Sequence, residues 1–341
     1  MKNEAMDFSV VRRHSKVSPE WRLTEALGQP YKDYRKLWES VLTGEVTPNF
    51  PINLDMELQD WCNQACVICP RNSQHHPDIP FRINTHTTPD LETLESVVRE
   101  AGKLGSLSIN FGAFSEPLVS RHLWSLVNLA HASGFVDSRI ITNGLLLEQH
   151  LDNIFASELR NVFVSIDAAT EGTYEGIRGK GFAKVQGNVR RLVDERERRG
   201  TLLPVIRVSF VEMDSNAHEV SEFVAYWAEI VDHVDVQART DYAEEIRLDG
   251  LSGEEEPKSW ECKSPWQRLA VTADGEVLPC CDFNGKNIPL AHIEEASLEE
   301  VWNGPRIDFL REGLERDSVP NCNACQRSKI GERLDWQSVG L

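Results

Sequence analysis

Three cysteines packed into one short stretch, Cys62, Cys66 and Cys69 of DWCNQACVICPR (60–71), constrain this 341-residue chain more than any other feature. A buried free cysteine packs as a small hydrophobe and needs no partner, whereas an iron–sulfur cluster needs several thiolates converging on one point. The spacing predicts a cluster-binding loop. Three thiolates leave one iron of a four-iron cube without a protein ligand, much as a catalytic metal keeps a position open for water or substrate. The competing readings are three unrelated core cysteines or a zinc site, and zinc favours paired CxxC or Cys/His spacings.

The CxxxCxxC spacing, with the apolar Ile68 before the third cysteine, resembles the signature of the radical S-adenosylmethionine (SAM) superfamily. The resemblance implies a [4Fe-4S] cluster on Cys62, Cys66 and Cys69 whose open iron is chelated by SAM. One electron then splits the sulfonium, and the released 5′-deoxyadenosyl radical takes a hydrogen atom from substrate. It also implies a one-electron donor such as flavodoxin or ferredoxin.

Charge narrows the substrate. With 36 basic against 54 acidic residues the net charge is −18, and nucleic-acid binders instead concentrate positive charge to neutralise phosphates. A small or peptidic substrate is favoured, with no nucleic-acid partner. The basic run Arg196, Arg198 and Arg199 reads as a solvated helix end, where cations suit the dipole. No apolar run is long enough to span a bilayer and the N-terminus lacks a secretory apolar stretch, so a soluble cytoplasmic protein with no membrane partner is expected. In that reducing compartment eight cysteines point to metal ligation rather than disulfides.

Residues 1–50 read as an N-terminal helical extension, with a short amphipathic helix at 31–42 and no alternating strand pattern. From 51 to 250 short apolar runs alternate with helical stretches. The runs are 52–58, 106–112, 138–144, 161–168, 205–211 and 231–239, and the helices 90–103, 121–133, 146–157, 183–199 and 216–230. Six such units predict an α/β fold with a parallel sheet rolled into a partial (β/α)6 TIM-like barrel, functional at the C-terminal ends of its strands. The acidic, aperiodic stretch 241–258 reads as a linker, placing a boundary near residue 250 before a small α+β domain at 251–341.

Polar residues cluster where the barrel strands end. The stretch 112–117 (GAFSEP) resembles the superfamily's "GGEP" motif with its second glycine displaced, which assigns Ser115 and Glu116 to the amino group of SAM. Asn143, after the third strand, and Ser165 and Asp167, after the fourth, match positions that contact the SAM ribose and substrate in the superfamily. Ordinary turn chemistry also explains Asn-Gly and Asp there. By the same resemblance Arg178 reaches the SAM carboxylate. Arg207 and Ser209 alternate along the fifth strand and share a face of the sheet. A charged side chain inside a barrel needs a partner, which SAM or substrate would supply, and an outward-facing pair under a helix end is the alternative. Gln237, Arg239, Asp241 and Tyr242 form a polar set suited to hydroxyls or to a solvated linker.

A second cysteine set follows. Cys262 precedes a hairpin with an Asp274-Gly275 turn, Cys280 ends it, and Cys322 and Cys325 form a terminal CxxC. The order resembles the twitch domain, a shortened SPASM domain found in radical SAM aminocyclitol dehydrogenases and sugar epimerases, and implies one fully ligated auxiliary [4Fe-4S] cluster. Structural zinc is the rival reading. Cys281 is left over, either a small buried hydrophobe or a hydrogen-atom donor to a substrate radical. The expected activity is abstraction of a carbinol-type hydrogen from a sugar, aminocyclitol or glycosylated natural product, with epimerisation through Cys281. Dehydrogenation through the auxiliary cluster and peptide modification are the alternatives.

Overall fold

The computed structural model describes residues 10–15, 19–71, 86–238, 262–316, 318–326 and 332–341. The chain opens with β1 (Val10–Ser15), α1 (Pro19–Leu27) and α2 (Gln29–Leu42). Six strands follow: β2 (Asn53–Met56), β3 (Ser108–Phe111), β4 (Asp137–Thr142), β5 (Asn161–Ser165), β6 (Val205–Glu212) and β7 (His233–Ala238). Each pairs parallel with the next, so the six form a sheet in sequence order. The connecting helices are α3 (Leu91–Leu104), α4 (Leu123–Ala132), α5 (Leu151–Ala156), α6 (Glu171–Arg178), α7 (Phe182–Arg199) and α8 (Val220–Trp227). This is the mixed α/β, partial-barrel class that the alternating runs predict.

Strand alternation sorts the two faces. Leu54, Met56, Ile109, Ile140, Val162, Val164, Val208 and Val236 join the main core beneath the helices. The intervening positions Asn53, Asp55, Asn110, Ser209 and Asp235 are buried polar residues on the inner face. They bond one another there: Asn110 Nδ2 donates to Asp55 Oδ1 at 2.7 Å. Asp90 starts α3 by accepting from Thr93 N at 2.8 Å, as the Asp-x-x-Thr spacing at its start allows.

The N-terminal segment differs from expectation. It holds helices, but β1 also pairs antiparallel with β7 and extends the barrel edge. Its sequence, VVRRHS, lacks strict alternation, and the pairing partner rather than the pattern makes it a strand. Arg196 corrects a second expectation. It is 1% exposed, donates to Pro204 O at 3.0 Å and pairs with Asp232, which Arg22 meets from the other side at 2.8 Å. Arg196 lies four and seven residues beyond the core positions Leu192 and Val189 and so shares their helix face. Arg198 and Arg199 do lie outside, each bonded to Glu195.

Beyond the barrel come α9 (Ser264–Gln267), β8 (Arg268–Val271), β9 (Glu276–Leu278), β10 (Ala291–His292), α10 (Leu298–Trp302), α11 (Pro305–Glu315) and α12 (Pro320–Gln326). The hairpin forms as its sequence predicts, yet β8 also pairs parallel with β2, so the barrel sheet continues into this segment. Between α10 and α11 the helix is interrupted at Gly304-Pro305, where proline starts the new helix. The proposed boundary near 250, together with Arg239, Asp241 and Tyr242, lies outside the described residues. No helix among the described residues is long and apolar enough to cross a membrane.

Candidate active site

The cysteine loop follows β2 directly and lies across the C-terminal ends of the barrel strands. Val67 N donates to Ile177 O at the end of α6, and Cys69 N donates to Cys66 O. Arg71 and Asp60 close the base of the loop with a buried ion pair at 2.7 Å. Two side chains from other elements reach the thiols: Asn143 Nδ2, just past β4, stands 3.9 Å from Cys62 Sγ, and Arg178 Nη1, at the end of α6, stands 3.9 Å from Cys66 Sγ. Burial pushes the Cys62 and Cys66 thiols up to about 11, with Arg178 pulling Cys66 back in part. Cys69 is raised by the same burial.

Glu116 is turned inward and is 2% exposed. Its carboxylate accepts from Thr142 Oγ1 at 2.7 Å, Asn143 N at 2.7 Å and Leu118 N at 3.1 Å. Burial nevertheless raises it to about 7 against those three donors. Glu116 thus ties the loop after β3 to the end of β4 and fixes Asn143, whose amide bonds Asn63 of the cysteine loop at 2.7 Å. Two glycines permit this approach. Gly112 (φ +90°) and Gly144 (φ +79°) sit in left-handed conformations where a Cβ would meet Pro117 at 2.6 Å and Val164 at 2.8 Å.

Asp167 and Arg178, singled out separately in the sequence, are bonded to each other. Arg178 Nε donates to Asp167 Oδ2 at 2.7 Å, and its Nη2 pairs with the same carboxylate. Asp167 adopts φ +64°, rare for a non-glycine residue, and is held there by Val211 N on Oδ1 and by Asn216 Nδ2 on its carbonyl. The guanidinium expected to meet the SAM carboxylate therefore turns two of its three nitrogens, Nε and Nη2, to Asp167 and the third, Nη1, toward the cysteine loop. Arg207 shows the same kind of difference. It faces the barrel interior, 3.0 Å from Asp235 Oδ2 with its guanidinium 3.9 Å above the Phe163 ring, and so has a protein partner. Ser209 is buried beside it, and Ser165 pairs with Ser209 across the β5–β6 register. Ser115 Oγ is buried near Glu57.

Four cysteines converge beyond the hairpin. Cys280 feels Cys262 and Cys325, and Cys325 in turn feels Cys322 and Cys262, all four being raised chiefly by burial and Cys322 to about 12. Gly285 presses on Cys280 so closely that a Cβ there would lie 2.9 Å from its Sγ. Cys280 and Cys281 follow β9 in a bend, so strand alternation does not govern them. They diverge all the same: Cys281 Sγ is 3.1 Å from Arg268 Nη1, which stands 3.2 Å from Asp55 on the inner face of the sheet. Among the described residues no three His, Cys, Asp or Glu side chains form a single-ion site.

A radical SAM superfamily model matches residues 56–212, and a SPASM iron–sulfur cluster-binding model matches residues 262–326. The chain belongs to the radical SAM superfamily. Curated relatives are distant. GTP 3′,8-cyclase of Staphylococcus epidermidis is 30% identical over 129 residues, 38% of this chain and 37% of that protein. The Thermodesulfovibrio yellowstonii enzyme of the same name is 27% identical over 54% of this chain and 56% of its own. Similar solved structures are Streptococcus suis SuiB bound to precursor peptide SuiA (TM-score 0.59, 16% identity, 89% of this chain and 75% of that one) and BtrN with AdoMet and 2-DOIA (0.50, 18%, 82% and 93%). A third is anSMEcpe with AdoMet and the Cp18Cys peptide (0.54, 16%, 83% and 92%). At these identities the likeness is one of fold.

As a radical SAM enzyme the protein uses SAM and iron–sulfur clusters. The donor chemistry fits them. Two separate sets of largely shielded thiols, one of three and one of four, are disfavoured as thiolates by their surroundings, and bound iron would supply the charge that lets them ionise. Sequence reasoning missed Asn216 and Glu219, which brace the end of β5. Glu219 accepts from Ala169 N at 2.6 Å and from the Thr170 and Thr173 hydroxyls, an arrangement that α6, itself unforeseen, creates.

Proposed function

We propose that this radical SAM enzyme removes a carbinol-type hydrogen from a sugar, aminocyclitol or glycosylated natural product and oxidises the alcohol to a ketone. Cys62, Cys66 and Cys69 would hold the SAM-binding cluster, and Cys262, Cys280, Cys322 and Cys325 one auxiliary cluster. When bound, these cofactors supply the radical that takes the hydrogen atom and an acceptor for the remaining electron. The chain's own part is to orient the substrate and accept its proton. The inner face supports a hydroxyl-rich ligand, since Asp55, Asn110, Arg207, Asp235 and Arg268 offer it donors and acceptors at close range. An external one-electron donor such as flavodoxin or ferredoxin would start the reaction.

The observation that carries oxidation over epimerisation is the Arg268 contact to Cys281 at 3.1 Å. A cation on sulfur favours negative character there, while a hydrogen-atom donor needs a neutral S–H. Epimerisation through Cys281 keeps its place as the second reading because that sulfur lies on the inner face. Reduced, reconstituted protein with SAM and a panel of aminocyclitols, aminosugars and peptides separates them. The oxidation reading expects a ketone product and 5′-deoxyadenosine from both the native enzyme and Cys281→Ala. An epimer carrying solvent deuterium at the inverted carbon, lost in Cys281→Ala, would establish the other outcome.

A further inference from the structure

A second ion pair lies beside the cysteine loop, and the radical SAM motif does not account for it. Glu57 continues the inward series Asn53, Asp55, Glu57 just past the end of β2 and is 2% exposed. Lys286, 4% exposed, comes from the turn that wraps Cys280, with its Nζ 3.8 Å from Glu57 Oε2 and 4.8 Å from the Phe114 ring centroid. Phe114 belongs to the 112–117 loop and packs against Ala270 and Leu278 of the hairpin. The pair therefore stands where the SAM-end loop, the first barrel strand and the auxiliary segment meet.

Its geometry differs from that of the structural pairs. Arg71–Asp60 and Arg178–Asp167 are joined at 2.7 Å, the spacing of a charge-assisted hydrogen bond. Glu57 and Lys286 are about 1 Å farther apart than that, and beyond Ser115, whose hydroxyl lies beside the carboxyl, neither Glu57 oxygen has a well-aligned donor among the described residues. A carboxylate sealed from water and so loosely partnered bears much of its desolvation penalty. A ligand group placed between the two charges would offset that penalty. An oxygen accepting from Lys286 and donating to Glu57 at ordinary distances would span about 4.5 Å between them, so a small outward shift admits one hydroxyl.

Resting on the oxidation reading, we propose that Glu57 and Lys286 are the hydroxyl-binding, proton-accepting pair for a carbinol substrate. Lys286 donates to the carbinol oxygen. Its O–H bond breaks and a new one forms on Glu57 Oε2, while the carbon-bound hydrogen atom and one electron leave to the SAM-derived radical and the auxiliary cluster, giving the carbonyl. Burial holds Glu57 above the usual carboxylate range, against Lys286 and Arg71 and with the help of Asp60, which suits a proton acceptor.

The test compares holoenzyme with Glu57→Gln, Lys286→Met and Lys286→Arg on the carbinols that the native enzyme oxidises. The double variant Glu57→Gln/Lys286→Met is expected to raise the unfolding midpoint by about 2–4 °C, because it removes both loosely matched buried charges, whereas either change alone strands its partner. Ketone formed per 5′-deoxyadenosine should fall about 10²–10⁴-fold in Glu57→Gln and in Lys286→Met, with partial recovery in Lys286→Arg. A lower midpoint in the double variant marks a structural latch and overturns the proposal, as does an unchanged ketone yield in the single variants. If the native enzyme oxidises no carbinol while the midpoint still rises, the carbinol assignment and the oxidation reading fall together and Glu57 stands as facing another ligand.

Discussion

At the scale of single residues the site is held by side chains that bind one another before they bind anything else. Glu116 is the clearest case. Folding raises its carboxyl from 4.5 to about 7 through burial, so the folded state holds a proton that the unfolded chain has released over that range. Stability attributable to Glu116 is therefore greatest below about pH 4.5 and falls as pH rises to about 7, by on the order of 3 kcal/mol. Thermal melts of native protein and Glu116→Gln between pH 5 and 8 should diverge, with the native protein losing ground to the variant as pH rises. Parallel curves would contradict this. The sequence picks out Glu116, Asp167 and Arg178 by their motif positions, but it conceals that Asp167 and Arg178 pair. That contact needs α6 to fold back over the end of β5, and only tertiary packing brings the two together.

At the scale of elements the parallel sheet was readable because β2 to β7 and the helices between them show distinct periods. What escaped is where the neighbour, and not the local pattern, decides. β1 becomes a strand only by pairing with β7, and β8 joins the barrel through β2 although its own sequence signals nothing beyond a hairpin. The turn after Cys280 (Phe283–Asn287) is similarly opaque, since its role is to let Gly285 lie against the cysteine. Gly285→Ala puts a methyl 2.7 Å from Cys280 O and 2.9 Å from its sulfur, which must move one of the four thiols proposed to hold the auxiliary cluster. Iron analysis of that variant should drop from about eight atoms per chain toward about four, with 5′-deoxyadenosine formation surviving. Full iron content would show that Cys280 is not a ligand or that the turn yields freely.

At the scale of the whole molecule, one sheet joins two thiol sites. The inner face of β2 carries Asp55 to Arg268 and Glu57 to Lys286, so the first barrel strand touches the auxiliary segment at two charged contacts. The triplet and the terminal CxxC were legible because their spacings are local in sequence, while Cys262 and Cys280 joined the second set through its resemblance to the twitch order. The connection between them was not, because residues some two hundred positions apart make it. On the proposed function the triplet alone generates the radical while the second set holds a separate cluster. Changing Cys62, Cys66 and Cys69 together to alanine, reconstituting the protein, and measuring iron, sulfide and 5′-deoxyadenosine in the same sample tests it most directly. About four irons per chain with no 5′-deoxyadenosine is the predicted result, and about eight irons or persistent SAM cleavage would contradict it.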